Sequence, residues 1–250
     1  MRLFLAVALL AGMLHIDPLV AQATAPSRDA LMQRLADEQK QLADWPALSR
    51  YRNDNAALPA SKVGENRVVF MGDSITDFWG RGTGVFFPGK PYINRGISGQ
   101  TTPQMLIRFR PDVIALKPRA VVILAGTNDL AGNTGPSTLG MIEDNLASMV
   151  ELARANHIKV VLASVTPVSD YNYPDQTKNR PPEKIVALNA WIKSYAQHEH
   201  VVYLDYYDAL LDSSRALKKE LSADGLHPNA AGYAVMLPLA QKAIDKAISQ

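Results

Sequence analysis

The chain has 250 residues, is 47% hydrophobic and 20% charged, and carries a formal charge of +2. That composition suits an ordinary globular protein with enough core for one domain or at most two, and no basic cluster gives it a nucleic-acid face. It contains no cysteine, which excludes disulfides, a thiol nucleophile, thiolate metal sites and a Cys-linked lipid anchor.

Arg2 is followed by a compact apolar run to Leu14 and then by Ala21-Gln22-Ala23, a small-x-small cleavage pattern. Residues 1–23 therefore read as an export signal, with a periplasmic or extracellular destination. A spanning helix needs about 20 apolar residues, and His15 and Asp17 interrupt this run. Nothing later is apolar enough to span a bilayer, so no stable membrane insertion is expected; oligomeric state is not legible. Residues 24–66 read as an N-terminal helical extension and connector, and residues 67–250 as the main domain. In the extension, Leu31, Met32, Leu35, Ala36, Leu42 and Ala43 recur at helical spacing, which predicts a surface helix packed on the body. The stretch Asn53–Asn66 has no period and is expected to be irregular.

Val68-Val69-Phe70-Met71 reads as a buried strand that stops at Gly72-Asp73-Ser74, a turn that would present one hydroxyl. A second short strand around Pro91–Asn94 leads to Arg95-Gly96-Ile97-Ser98-Gly99, and a helical pattern from Pro103 to about Leu116 is expected to break before Pro111. The run Ala120–Ala125 is the third strand, ending in Gly126-Thr127-Asn128-Asp129. An amphipathic helix through Leu139, Ile142, Leu146, Met149 and Ala153 precedes a fourth strand, Lys159–Ser164. After a polar loop over 166–180, a helix from Pro182 through Tyr195 leads to a fifth strand, His200–Leu204. Asp224-Gly225-Leu226-His227 stands just before a final helix. Strands alternating with helices predict a three-layer α/β/α sandwich with a parallel sheet of about five strands, whose carboxyl ends share one edge.

Serine is a weak nucleophile at neutral pH and needs a base, and histidine, with a reference pKa of about 6.5, is well matched to that task. Ser74 is the candidate nucleophile, His227 the base, and Asp224 the carboxylate that would hold the imidazole. Attack on an acyl carbonyl places charge on its oxygen, which the backbone N–H groups of Ser74 and Gly99 and the side-chain amide of Asn128 could receive. Each residue alone has a plain structural reading; four motifs in order, each at a predicted turn on the carboxyl edge, point to catalysis. The Gly-x-Ser-x-Gly elbow is absent, since Thr76 stands where its second glycine would be. His157, His198 and His200 fall on the opposite edge and read as surface residues. Asp73, Asp77, Asp129, Asp205, Asp224 and His227 could instead build a metal-dependent hydrolase, but that leaves Ser74, Gly99 and Asn128 without a role.

On Gly72-Asp73-Ser74-Ile75, Ser98-Gly99, Gly126-Thr127-Asn128-Asp129 and Asp224-Gly225-Leu226-His227, the sequence resembles the SGNH subgroup of the GDSL-type serine esterases and lipases. The resemblance runs from about Arg67 to the C-terminus, with Ile75 where the subgroup's name has Leu. It implies a flavodoxin-like sheet, no metal and no organic cofactor, and an ester substrate. A carbohydrate or other small-molecule O-acetyl ester is the first expectation, because no long apolar insertion suggests a lipase lid. A lysophospholipase or thioesterase is the alternative within the family, and a non-enzymatic secreted binding protein the alternative outside it. Phe78, Trp79, Phe86 and Phe87 follow the nucleophile, and Tyr171 and Tyr173 lie in the loop after the fourth strand. Of these, Trp79, Tyr171 and Tyr173 are the expected substrate rim.

Overall fold

The computed structural model describes residues 27–62 and 64–250; the segment read as an export signal lies outside the described residues. The described residues fall into two units that part between Leu42 and Ala43. Helix α1 spans Arg28–Ala43, as its spacing predicts, with Asp29 favourably placed in its first turn. Its apolar side chains Leu31, Met32, Leu35 and Leu42 are exposed.

The second unit opens with a short helix, α2 (Arg52–Ala57), in the stretch expected to be irregular. Six residues are too few to register a hydrophobic period. What holds this segment is tertiary bonding: the buried Tyr51 hydroxyl donates to Gly96 O, and Asn55 Nδ2 donates to Asp112 Oδ1 at 2.7 Å. Strand β1 (Val68–Gly72) runs into a one-turn helix α3 (Ser74–Asp77). Then come β2 (Tyr92–Gly96), α4 (Thr102–Asp112), β3 (Ala120–Leu124), α5 (Thr127–Leu130), α6 (Leu139–Ala155) and β4 (Lys159–Ala163). The chain ends with α7 (Gln176–Asn179), α8 (Pro182–His198), β5 (Val202–Leu204), α9 (Tyr207–Leu210) and α10 (Ala230–Ser249). Helix α4 passes through Pro111 and stops after it rather than before. It opens with a capping box in which Thr101 and Gln104 satisfy one another's backbone donors.

All four strand pairings are parallel and the order is β2-β1-β3-β4-β5, the flavodoxin-like order. The central strands β1 and β3 are buried on both faces, as strands inside a parallel sheet are. Val69, Met71, Val121, Ile123, Val160 and Leu162 pack against α4, α6 and α8 on one side. Val68, Phe70, Val122, Val161 and Val202 pack on the other against Tyr233, Met236, Ala240 and Ile244 of α10. The result is the expected three-layer sandwich, and successive side chains of each strand point to opposite layers because the strand period is two.

Candidate active site

The register of the sheet brings three loops together. Gly72 of β1 pairs with Gly96 of β2 on one side and with Leu124 of β3 on the other. The chain leaving these three neighbours reaches Ser74, Gly99 and Asn128 within a few residues. The order reverses between β1 and β3, and such a switch point at the carboxyl edge is where open α/β sheets place ligands.

Ser74 begins α3. Asp73 precedes it as N-cap, its Oδ1 accepting the Ile75 N–H at 2.9 Å, and so fixes the start of the helix that carries the hydroxyl. Gly72 and Gly96 let α3 lie directly over the strand ends: a Cβ on Gly96 would stand 2.1 Å from Asp77 N, and one on Gly72 2.1 Å from Thr76 Oγ1. From the far side, Tyr233 of α10 donates its hydroxyl to Ile75 O at 2.7 Å.

Asp224 and His227 come from the turn that leads into α10. Asp224 Oδ1 accepts the Leu226 N–H at 2.9 Å and the His227 N–H at 2.8 Å, while Oδ2 lies 2.5 Å from His227 Nδ1. His227 Nε2 lies 2.8 Å from Ser74 Oγ, across 153 residues of sequence. Burial works against the Asp224 anion, but its bonds from the His227 ring, the His227 N–H and the Leu226 N–H outweigh that and hold the carboxyl below its ordinary value. An ionised carboxylate only accepts, so Nδ1 carries the proton and Nε2 turns its lone pair to the serine hydroxyl. The arrangement can therefore remove a proton from Ser74 and stabilise the imidazolium that results.

The three donors expected to face an oxyanion are placed as follows. Among the described residues, the N–H groups of Ser74 and Gly99 donate to no other protein group, and Gly99 takes a left-handed φ of 80° that few residues besides glycine adopt. The buried Asn128 side chain donates from Nδ2 to Gln100 O at 3.0 Å and accepts on Oδ1 from Arg180 Nη2 at 3.4 Å. Asp129, which follows it, is spent on the start of α4: its carboxylate accepts the Thr102 N–H at 3.0 Å and the Thr102 hydroxyl at 2.6 Å. Among the described residues no three His, Asp or Glu side chains are grouped to hold a metal ion.

The aromatic rim differs from expectation. Trp79 is 2% exposed, donates its indole N–H to Val85 O at 2.8 Å, and stacks on Tyr233 at 5.1 Å; it belongs to the core with Phe70 and Phe87. Phe78, 39% exposed, stands at the site instead, its ring 5.0 Å from that of His227. The reason is helical spacing. The Phe78 N–H bonds to Ser74 O, so Phe78 shares the face of Ser74, whereas Trp79 lies one turn from the buried Ile75. Tyr173 is exposed, and Tyr171 is half-buried with its hydroxyl 3.2 Å from Ser222 O, tying its loop to the turn that carries Asp224. Asn172 Nδ2 and Ser169 N add bonds to Ala223 O and Gly225 O. His157, His198 and His200 are exposed on the other edge, as expected.

Two arginines carry no motif and escape a reading by sequence. Arg108, fully buried, donates to Gly72 O at 3.0 Å, Arg95 O at 2.8 Å and Gln100 Oε1 at 2.5 Å, and pairs with Asp112 at 3.1 Å. It clamps the ends of β1 and β2 to the loop bearing Gly99. Its position among buried α4 residues such as Met105 and Asp112 is the only signal the sequence holds. Arg180 ends a polar loop in which an arginine reads as solvated, yet it is 8% exposed.

With this geometry in place, likeness to known proteins identifies the family. The model of the GDSL-like Lipase/Acylhydrolase family matches residues 70–235. The crystal structure of a candidate acylhydrolase from Bacteroides fragilis superposes with a TM-score of 0.77 at 46% identity, over 82% of this chain and 98% of that one. Esterase TesA of Pseudomonas aeruginosa is 29% identical over 136 residues, 54% of this chain and 60% of its own. An acetylxylan esterase of Geobacillus stearothermophilus is 36% identical over 93 residues, covering 28% of this chain and 42% of that protein. The chain spans between 34% and 60% of the length of the curated relatives it matches. It belongs to the GDSL-like lipase/acylhydrolase family, the SGNH hydrolases.

Proposed function

We propose that this enzyme hydrolyses short acyl esters through an acyl-enzyme on Ser74, and that carbohydrate O-acetyl groups are its substrate class. The relay of 2.5 Å from Asp224 to His227 and 2.8 Å from His227 to Ser74 carries this reading. Ser74 Oγ attacks the acyl carbon as its proton passes to His227 Nε2. The ester C–O bond then breaks, and the departing alcohol takes that proton. Water, deprotonated by the same nitrogen, attacks the acyl-enzyme, releases the acid and returns the proton to Ser74. The N–H groups of Ser74 and Gly99 and the Asn128 amide receive the charge on the carbonyl oxygen.

For the substrate, Phe78 beside His227 offers an apolar face on which a sugar ring or a small acyl group can rest. Similarity to an acetylxylan esterase favours acetylated carbohydrate. The apolar run before Leu14 supports export as the setting. A series of p-nitrophenyl esters of increasing chain length, followed by acetylated xylan and lysophosphatidylcholine, tests the reading. The expected kcat/KM is highest for acetate, with release of acetate from xylan and a loss of on the order of 10³-fold or more in kcat for Ser74→Ala. Preference for long acyl chains or for the lysophospholipid would refute the substrate class; equal rates for Ser74→Ala would refute the mechanism.

A further inference from the structure

Arg180 is a buried cation that the relay does not use. It closes the loop between β4 and α8, more than nine-tenths buried, and its guanidinium points inward to the carboxyl edge of the sheet. Nη1 donates to Gln176 Oε1 at 2.8 Å and Nη2 to Asn128 Oδ1 at 3.4 Å, while Nε is buried with no hydrogen-bond partner among the described residues. Burial disfavours its charge, and the carboxylates of Asp73 and Asp224 favour it. A charge held in so dry a place is costly to desolvate, and among the described residues no ion pair within 4 Å offsets that cost.

We infer that Arg180 is a positioning residue for Asn128: its guanidinium fixes the orientation of the side-chain amide and strengthens Nδ2 as a donor to the developing oxyanion. This rests on the oxyanion reading of Asn128 given above. An asparagine amide can occupy its site in two orientations related by a flip, and the hydrogen-bond partners decide between them. Here both ends are committed. Gln100 O, an acceptor, faces Nδ2, and the guanidinium, a donor, faces Oδ1. A flip would set oxygen against oxygen and N–H against N–H. The second Nδ2 hydrogen is left for a ligand, because Nδ2 makes no other bond among the described residues. The 3.4 Å contact is long for a neutral pair, but a full charge in a low-dielectric site acts well at that range, and drawing electron density toward Oδ1 makes the Nδ2 hydrogens better donors. The loop that delivers Arg180 is the same one whose Ser169, Tyr171 and Asn172 bond the turn carrying Asp224. The two halves of the site are thereby joined through a single segment.

The test is a double-mutant cycle on kcat and KM for p-nitrophenyl acetate with Asn128→Ala, Arg180→Gln and the pair together, plus Arg180→Lys, with the melting temperature of each variant recorded. Arg180→Gln should lower kcat by roughly 10-fold or more with KM changed much less, as expected for a loss of part of one oxyanion donor. Arg180→Lys, which keeps the buried charge, should recover part of the loss. The double variant should be no slower than Asn128→Ala, since Arg180 acts through that side chain. Additive losses in the double variant would overturn the inference, as would a KM effect alone. Asn128→Ala impaired with Arg180→Gln at wild-type kcat would overturn it while leaving the oxyanion reading intact. Unchanged kcat in Asn128→Ala would overturn that reading and this inference with it.

Discussion

Asp73 divides its two oxygens between different environments. Oδ1 accepts the Ile75 N–H, and Oδ2 is buried with no hydrogen-bond partner among the described residues. Burial pushes this carboxyl up to about 7, against the Ile75 N–H, which favours the anion. The unfolded value is near 3.9, so between about pH 4 and pH 7 the folded state binds more protons than the unfolded one. Stability from this residue is thus fully present below about pH 4 and is lost as pH rises through 7. Asp73→Asn keeps the acceptor for Ile75 but cannot titrate. The stability advantage of the wild type over Asp73→Asn should therefore shrink between pH 4 and 7 and level off above, read by thermal melts at each pH. A constant difference across that range would contradict the account. Identity at this scale was largely legible. Ser74, Asp224 and His227 each sit in a short motif whose chemistry needs those side chains, and the i−3 spacing is one that a turn can close. Arg180 was not legible, because a single arginine in a polar loop gives no sign that the loop folds inward.

Helix α3 is a single turn, too short to be stable by itself. It persists because Asp73 caps it, Tyr233 bonds it and two glycines let it press on the strand ends. Gly96 has the sharper requirement, since a Cβ there would meet the Asp77 backbone at 2.1 and 2.6 Å, and backbone cannot rotate away as a side chain can. Gly96→Ala should destabilise by about 3 kcal/mol or more, a fall of roughly 6–12 °C in Tm. It should also lower kcat, by displacing Ser74 from His227. A variant melting within 2 °C of wild type would show that α3 does not pack as tightly as described. The strands are legible from their periods to within two residues, and the long helices to within about four. Helix α2 is not, and an aromatic cluster shows no direction until the local helix is known, which is why Trp79 reads as rim in the sequence yet lies in the core. Counting four residues on from Ser74 and Ile75 separates the outward Phe78 from the inward Trp79.

Across the whole molecule, alternation of strand and helix was enough to predict a parallel three-layer sandwich. The order β2-β1-β3-β4-β5 comes from pairings between segments distant in sequence, which no local pattern encodes. That order matters most for function: it sets β1 beside both β2 and β3, and so brings Ser74, Gly99 and Asn128 to one place while α10 delivers His227 from the far end of the chain. No helix among the described residues is long and apolar enough to cross a membrane. The account depends most on Ser74 becoming covalently acylated. Incubation with an ester whose acyl-enzyme breaks down slowly, followed by intact-mass measurement and peptide mapping, tests this directly. The result predicted is one acyl group per chain, on Ser74, and none on the Ser74→Ala variant. Turnover with no adduct, or an adduct on another residue that still forms in Ser74→Ala, would contradict it.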